Sequence, residues 1–323
     1  MKGRLAALLA SLLALAMPLP VLSQAYPSKP IRIVVGFPPG TGPDTIIRQI
    51  TQKMSEQHGW SLIVENKPGQ GSSLAATDVA RAVPDGYTLL FSATAALATN
   101  PALYKNLRYD PVKDFTPITR IIDLPLVLIV SGSSQYRSLS DLVADAKAKP
   151  GALNYASIGN GSTSHLIMAT LVKQTGVQMV HVPFKGSAEL IPALLSGNVQ
   201  AAFESAVVGI TQGKAGKVRV LGVSTAKRLS ALPDIPTLAE SGVPGFDMAA
   251  WYGMLGPAGL PQPIVQRLNQ DFARAINSPD LRERLENQGS PVVTSTPEAF
   301  GDFIRSEGAK WAQAVRESGA TVD

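Results

Sequence analysis

Short β-branched and aromatic runs alternate along this chain with longer stretches whose apolar positions recur every three to four residues. Ile31, Ile33, Val34 and Val35, bounded by Gly36 and Pro38-Pro39-Gly40, predict a buried strand. Ile46, Ile47, Ile50 and Met54 then predict a helix from about Pro43 to Gln57, with Pro43 at the first helical position, where a missing N–H costs nothing. The same reading predicts strands at Ser61–Glu65, Tyr87–Phe91, Ile118–Ile122, Leu126–Val130, Leu153–Ser157, Met179–Val182, Val199–Phe203, Val218–Val223 and Trp251–Leu255. It predicts helices at Leu74–Val83, Leu139–Lys147, His165–Gln174, Ala188–Leu195, from Ala206 to Lys214, and at Ile264–Ile276, Leu281–Asn287 and Pro297–Ser318. Asn100–Asp114, rich in Pro, Tyr and Asp, reads as irregular.

Strand and helix alternate in two series separated by proline-punctuated stretches, so the fold class is α/β with two doubly wound lobes. The chain is expected to leave the first lobe near Leu124 and return near Asp247. Lobe 1 is then 26–123 plus 248–323, lobe 2 is 124–247, and a cleft lies between them. Strand, Gly/Ser loop and helix start recur at Gly40–Asp44, Asn66–Leu74, Gly159–His165 and Phe184–Ala188. Ligands of open α/β sheets sit outside the carboxyl ends of strands, where free N–H groups and the positive ends of helix dipoles can hold an anion. Donor-rich loops from two lobes suit a small anion with two acidic ends. A plain βα corner accounts equally well for any one loop taken singly.

Composition narrows the classes. Lys2 and Arg4, the apolar stretch Leu5–Met17 and the small residues of Ser23-Gln24-Ala25 have the three parts of a secretory signal peptide, placing 1–25 as a leader and Tyr26 as the mature start. The stretch is shorter than a membrane span and ends in Pro18 and Pro20. The chain has no cysteine, which excludes disulfides, thiolate metal sites and a lipidated cysteine. The net charge of +5 falls by two when Lys2 and Arg4 leave, and no basic block with interleaved aromatics suggests nucleic acid. Enzyme motifs fail: there is no G-x-S-x-G elbow, P-loop or G-x-G-x-x-G, and Ser224-Thr225-Ala226-Lys227 has no accompanying K-T-G or S-D-N. His58, His165 and His181 fall on separate elements with no metal-ligand spacing, so no metal or cofactor is expected. His165, opening a helix after the Gly159–Ser164 loop, reads equally as a site residue and as a cap-and-core residue. Lys185, the one cation of these loops, reads as a solvated loop lysine or as a site residue.

The motifs together resemble one family. FPPGTGPD at Phe37–Asp44, Val64-Glu65-Asn66-Lys67-Pro68-Gly69, Pro84-Asp85-Gly86-Tyr87-Thr88-Leu89-Leu90, Asn100-Pro101-Ala102-Leu103-Tyr104, Gly159-x-Gly161-Ser162 with His165-Leu166, and Val182-Pro183-Phe184-Lys185-Gly186 occur in order. They resemble the periplasmic substrate-binding proteins of tripartite tricarboxylate transporters, the Bug-type receptors abundant in Bordetella relatives. The resemblance implies a type II Venus flytrap, working as a monomer in the periplasm. It would close on a small carboxylate or related amide and be recognised by membrane permease subunits. It further implies that backbone N–H groups and waters hold the ligand, at Phe37, Gly40, Thr41, Asp44, Ser92 and Ala93 in lobe 1 and at Gly159, Ser162, His165, Lys185 and Ala206 in lobe 2. Two departures stand out. Gly40-Thr41-Gly42-Pro43-Asp44 replaces the family's usual Gly-Gly-Gly-Thr-Asp, so that Pro43 deletes a donor, and Phe184 stands where Tyr is commoner. The competing readings are an exported serine hydrolase using Ser162 or Ser224, and a sensory partner of a signalling protein.

Overall fold

The computed structural model describes residues 26–321; the leader expected at 1–25 lies outside them. In chain order the elements are β1 (Ile31–Val35), α1 (Gly42–His58), β2 (Leu62–Asn66), α2 (Ser73–Ala80), β3 (Thr88–Ala93), a π-helical turn at Ala95–Thr99, α3 (Asn100–Leu103), β4 (Phe115–Ser131) and α4 (Leu139–Ala148). There follow β5 (Leu153–Ser157), α5 (Thr163–Thr175), β6 (Met179–Pro183), α6 (Ser187–Leu195), β7 (Ala201–Ser205), α7 (Ala206–Lys214) and β8 (Val218–Val223). The chain closes with β9 (Ala249–Pro257), α8 (Gln262–Ile276), α9 (Pro279–Asn287) and α10 (Pro297–Ser318).

The strands form one mixed sheet in the order β2-β1-β3-β9-β4-β7-β5-β6, with β8 pairing β4 as well. Alternate residues of β1 point to opposite faces. Ile31, Ile33 and Val35 pack with Ile47, Ile50 and Met54 of α1 and Leu268 and Phe272 of α8, while Val34 packs on the other face with Ala75, Ala76 and Val79 of α2. Helices on both faces explain why these strands read as unbroken apolar runs.

Four expectations are corrected. The two strands expected at Ile118–Ile122 and Leu126–Val130 are one continuous strand, β4. Asp123 and Pro125 do not interrupt it, because the strand changes partners there: Phe115–Pro125 pair with β9, and from Leu126 onward the partners are β7 and β8. Proline is tolerated at such a point, where one edge lacks a ladder partner for its absent N–H. Helix α1 opens at Gly42, one residue before Pro43, and β7 extends to Ser205, so Glu204 and Ser205 end a strand instead of forming a loop. The supposedly irregular Asn100–Asp114 begins with α3.

Register fixes where the strands end. Ala93 of β3 lies opposite Tyr252 of β9, and Tyr252 lies opposite Ile122 of β4. β1 is parallel to β3. In the other half, Ser205 of β7 lies opposite Leu126, and β5 and β6 run parallel to β7. The carboxyl ends of both sets of strands therefore converge on residues 122–126 of β4. Helix α10 ties the two halves on one face, packing against β4, the π-helical turn and α5. Its buried Glu307 accepts both Trp251 Nε1–H from β9 (2.9 Å) and Trp311 Nε1–H from α10 (2.8 Å) on one carboxylate oxygen.

Candidate functional site

The loop after β1 is built around Asp44. Its buried carboxylate accepts the Gly40 N–H (2.9 Å), the Arg48 Nε–H (2.9 Å) and Asn66 Nδ2–H (2.8 Å). Asn66, the last residue of β2, also donates to the Phe37 carbonyl (2.9 Å) and accepts from Arg48 Nη2 (3.0 Å). The Arg48 guanidinium, with Asn66 and the Gly40 N–H, holds the Asp44 carboxyl down to about 2. Gly40 meets this clamp with a positive φ of 77°, which glycine adopts without strain. The Thr41 hydroxyl turns back to the Pro38 carbonyl (2.7 Å) and does not cap α1. The N–H groups of Gly42 and Asp44, which have no intrahelical acceptor, are thus left without a side-chain cap. Phe37 packs edge-on to Tyr252, with centroids 5.8 Å apart.

The neighbouring loops are bound to this one. Ser72 donates to the Gly36 carbonyl (3.0 Å), and a Cβ on Gly36 would stand 2.3 Å from that of Ser72, so the two loops can approach only with glycine there. Buried Asn100 donates to the Gly71 carbonyl and the Ser73 hydroxyl, both at 2.9 Å. Ser92 and Ala93 end β3, and both are buried; the Ser92 hydroxyl has no hydrogen-bond partner.

Across the junction, the loop after β5 carries Gly159, Ser162 and His165. Ser162 caps α5, accepting the His165 N–H (3.3 Å), and the Gly161 N–H donates to His165 Nδ1 (3.1 Å). The His165 proton therefore sits on Nε2. His165 is buried and lies flat on His181, with ring centroids 3.7 Å apart and planes 7° apart, and Tyr155 lies beside His181 at 5.1 Å. Burial, then the neighbouring His181, pushes His165 down to about 4, and burial also lowers His181. His181 Nε2 meets the Ser157 hydroxyl at 2.7 Å, and that hydroxyl also donates to the Gly159 carbonyl (3.0 Å). Lys185 is exposed in the loop after β6; its N–H donates to Glu189 Oε2 (3.2 Å). Ala206 is buried at the start of α7, whose cap is Ser205. A Cβ on Gly289, beyond α9, would stand 3.1 Å from the Ala206 Cβ, so the two halves touch here.

Each residue expected at the site thus lies at or beyond a strand's carboxyl end. Three participants escaped the sequence reading. Asn66 completes the Asp44 clamp; its place at the start of the Asn66–Leu74 loop was legible, its partner was not. His181 joins His165 because Tyr155 and His181 are register partners. Glu204 is 4 % exposed, and its Oε2 accepts the Ser205 N–H (3.2 Å) while Oε1 has no partner. Burial raises its pKa.

The hydrolase reading finds no support in this geometry. The Ser162 hydroxyl meets the backbone N–H of His165, not its ring, and the fully buried Ser224 hydroxyl accepts the Leu126 N–H (3.1 Å). No group of three metal-ligating side chains occurs among the described residues, and no described helix is long and apolar enough to cross a membrane. A cavity of about 510 Å³ beside the β4–β9 crossing, bounded by Arg120, Asp123, Asp247, Glu307 and Lys310, is lined by none of the expected site residues.

Residues 46–320 match the sequence profile described as tripartite tricarboxylate transporter family receptor. The chain is 33% identical to protein BugT of Bordetella pertussis over 94% of its own length and 93% of the relative's. Among solved structures, Rpa4515 of Rhodopseudomonas palustris with adipate superposes with a TM-score of 0.77 at 33% identity, covering 92% of this chain and 99% of that one. MatC of the same organism with bound malate gives 0.73 at 33%, covering 90% and 100%. These relatives are solute-binding receptors and not enzymes.

Proposed function

The chain belongs to the tripartite tricarboxylate transporter receptor family, and from that premise we propose that it is an exported receptor that closes two lobes over a small carboxylate and presents the closed form to a membrane permease. The observation that carries this reading is the convergence of strand carboxyl ends from both halves on residues 122–126 of β4. Such a junction gathers backbone donors from two bodies that one strand pair connects. Lobe 1 is 26–123 plus 248–323, and lobe 2 is 124–247. Residues 1–25 are a cleaved leader, and the mature chain works as a monomer in the periplasm. The candidate contacts are the first loop (Phe37, Gly40, Thr41, Asp44), the end of β3 (Ser92, Ala93) and the lobe 2 loops (Gly159, Ser162, His165, Lys185, Ala206). Asp44 and Gly40 act chiefly by holding the first loop, since each bonds the other. Relatives that hold adipate and malate support a carboxylate as the ligand class.

The test is a thermal-shift screen of the chain from Tyr26 onward against small carboxylates and their amides. A ligand at a hundred times its Kd adds about 2.7 kcal/mol, a rise of a few degrees at this chain length. A saturable rise without consumption of the compound is the expected result. No rise with any compound, or a rise accompanied by turnover, overturns the reading.

A further inference from the structure

His165 and His181 meet face to face, but their surroundings differ. His165, on α5, is 3 % exposed, whereas His181 is half-buried on β6, an edge strand of the sheet. Both rings are tied to the same loop. His165 Nδ1 accepts the Gly161 N–H (3.1 Å), so its lone pair is in use. The Ser157 hydroxyl gives its one proton to the Gly159 carbonyl and accepts the Gly159 N–H (3.2 Å), and it therefore accepts from His181 Nε2–H as well. A second proton enters His181 at Nδ1 without breaking that bond. One that enters His165 at Nδ1 must displace Gly161, because two N–H groups would then face each other.

The elements around the pair bring no carboxylate or cation to it among the described residues. Tyr155 and Ser157 of β5 and Met179 of β6 share the face on which the rings lie. β7 turns Ala201 and Phe203 to this face and Ala202 and Glu204 to the other. Helix α10 packs on α5 more than a turn further on, where Lys310 and Glu317 line a small cavity with Thr170 and Gln174. Lys173 and Lys185 are exposed. Burial lowers both imidazoles, and His181 lowers His165 further. With ring centroids 3.7 Å apart, a charge on one opposes a charge on the other. We infer that His181 is a positioning residue for the loop 159–161: it takes the first proton in acid, and so keeps His165 Nδ1 bare and Gly161 in place. The loop is held through mild acid and lets go only when the second ring is charged. This concerns the loop itself and stands apart from the receptor reading.

NMR of the chain from Tyr26 onward, titrated from about pH 7 to about pH 4, follows the two imidazoles and the Gly161 amide, with circular dichroism as the check on folding. His181 is protonated first, and the Gly161 amide moves with His165, not with His181. His181→Phe keeps a flat ring over His165 and removes the competing charge. His181→Gln keeps an N–H donor for Ser157 and removes both ring and charge. In each, the Gly161 amide titrates higher than in the wild-type chain, by about half a pH unit or more. Protonation of His165 first, or a Gly161 amide that moves with His181, overturns the inference. A rise in His181→Gln alone assigns the ring to shielding His165 from water and overturns its part as proton acceptor. An unchanged midpoint in both variants, or a wild-type chain that unfolds before the amide responds, overturns it too. Where a variant does not fold, the order of protonation in the wild-type chain decides.

Discussion

The loops after β1 and β5 occupy equivalent places in their halves, yet they are held by opposite means. The first is held by charge: one carboxylate gathers a backbone N–H, a guanidinium and an amide, and the helix start behind it stays open. The second is held by neutral groups: stacked imidazoles, a serine cap and a hydroxyl bridge consume the local donors. A loop fixed from the side by an ion pair can keep its forward N–H groups for a ligand. A loop fixed by its own cap spends one of them, here the His165 N–H, on the cap.

The largest expected effect comes from removing the charged clamp. Asp44→Ala removes the acceptor of Arg48, Asn66 and the Gly40 N–H, and should cost about 2 kcal/mol in urea unfolding, as leaving hydrogen-bond donors without their charged acceptor does, with a parallel loss of ligand affinity by calorimetry. A cost under about 1 kcal/mol would mean the loop is held by something other than Asp44.

Acid should separate the two regions. His165 is depressed to about 4 in the folded chain against an ordinary value near 6.5. The unfolded chain therefore binds a proton that the folded one refuses. Stability from this group is full above about pH 6.5 and is lost as pH falls toward 4, at up to about 1.4 kcal/mol per pH unit. Asp44, held to about 2, contributes above its ordinary value of 3.8 and loses its contribution only below that. The difference in unfolding free energy between wild type and His165→Gln should thus change between pH 6.5 and 4, and that between wild type and Asp44→Asn only below it. Overlapping windows would erase the contrast.

Caps give smaller effects. Ser162→Ala should cost about 1 kcal/mol. Thr41, at the same position on α1, caps nothing; Thr41→Ser, which keeps the hydroxyl bond to Pro38, should shift stability by less than about 0.5 kcal/mol. Equal costs at the two positions would show that α1 is capped after all.

Most elements were legible because α/β periodicity is local: the apolar run of β1 and the three-to-four spacing of α1 each lie within one window. The continuous β4 was not, since a proline reads as a stop unless the change of pairing partner at Leu126 is known. At the site, the loop residues could be placed because Gly and Ser cluster after strands. Their partners could not. Asn66 reaches Asp44 because β1 and β2 are neighbours, and His181 reaches His165 because β5 and β6 are. Neighbourhood of parallel strands is set by crossover connections, which leave no mark at the residues they bring together.

The carboxylate of Glu307 has a spectroscopic consequence. Of the three tryptophans in the chain, two donate to its single oxygen at the base of the β4–β9 crossing, while Trp60 stands apart beside Tyr26 and His58. If the proposed closure flexes β4 and β9 at their crossing, it does so beside Trp251 and the Glu307 carboxylate that holds it. A change in the intrinsic emission of the unlabelled protein on adding ligand is then the expected signal, with Trp60 as its background.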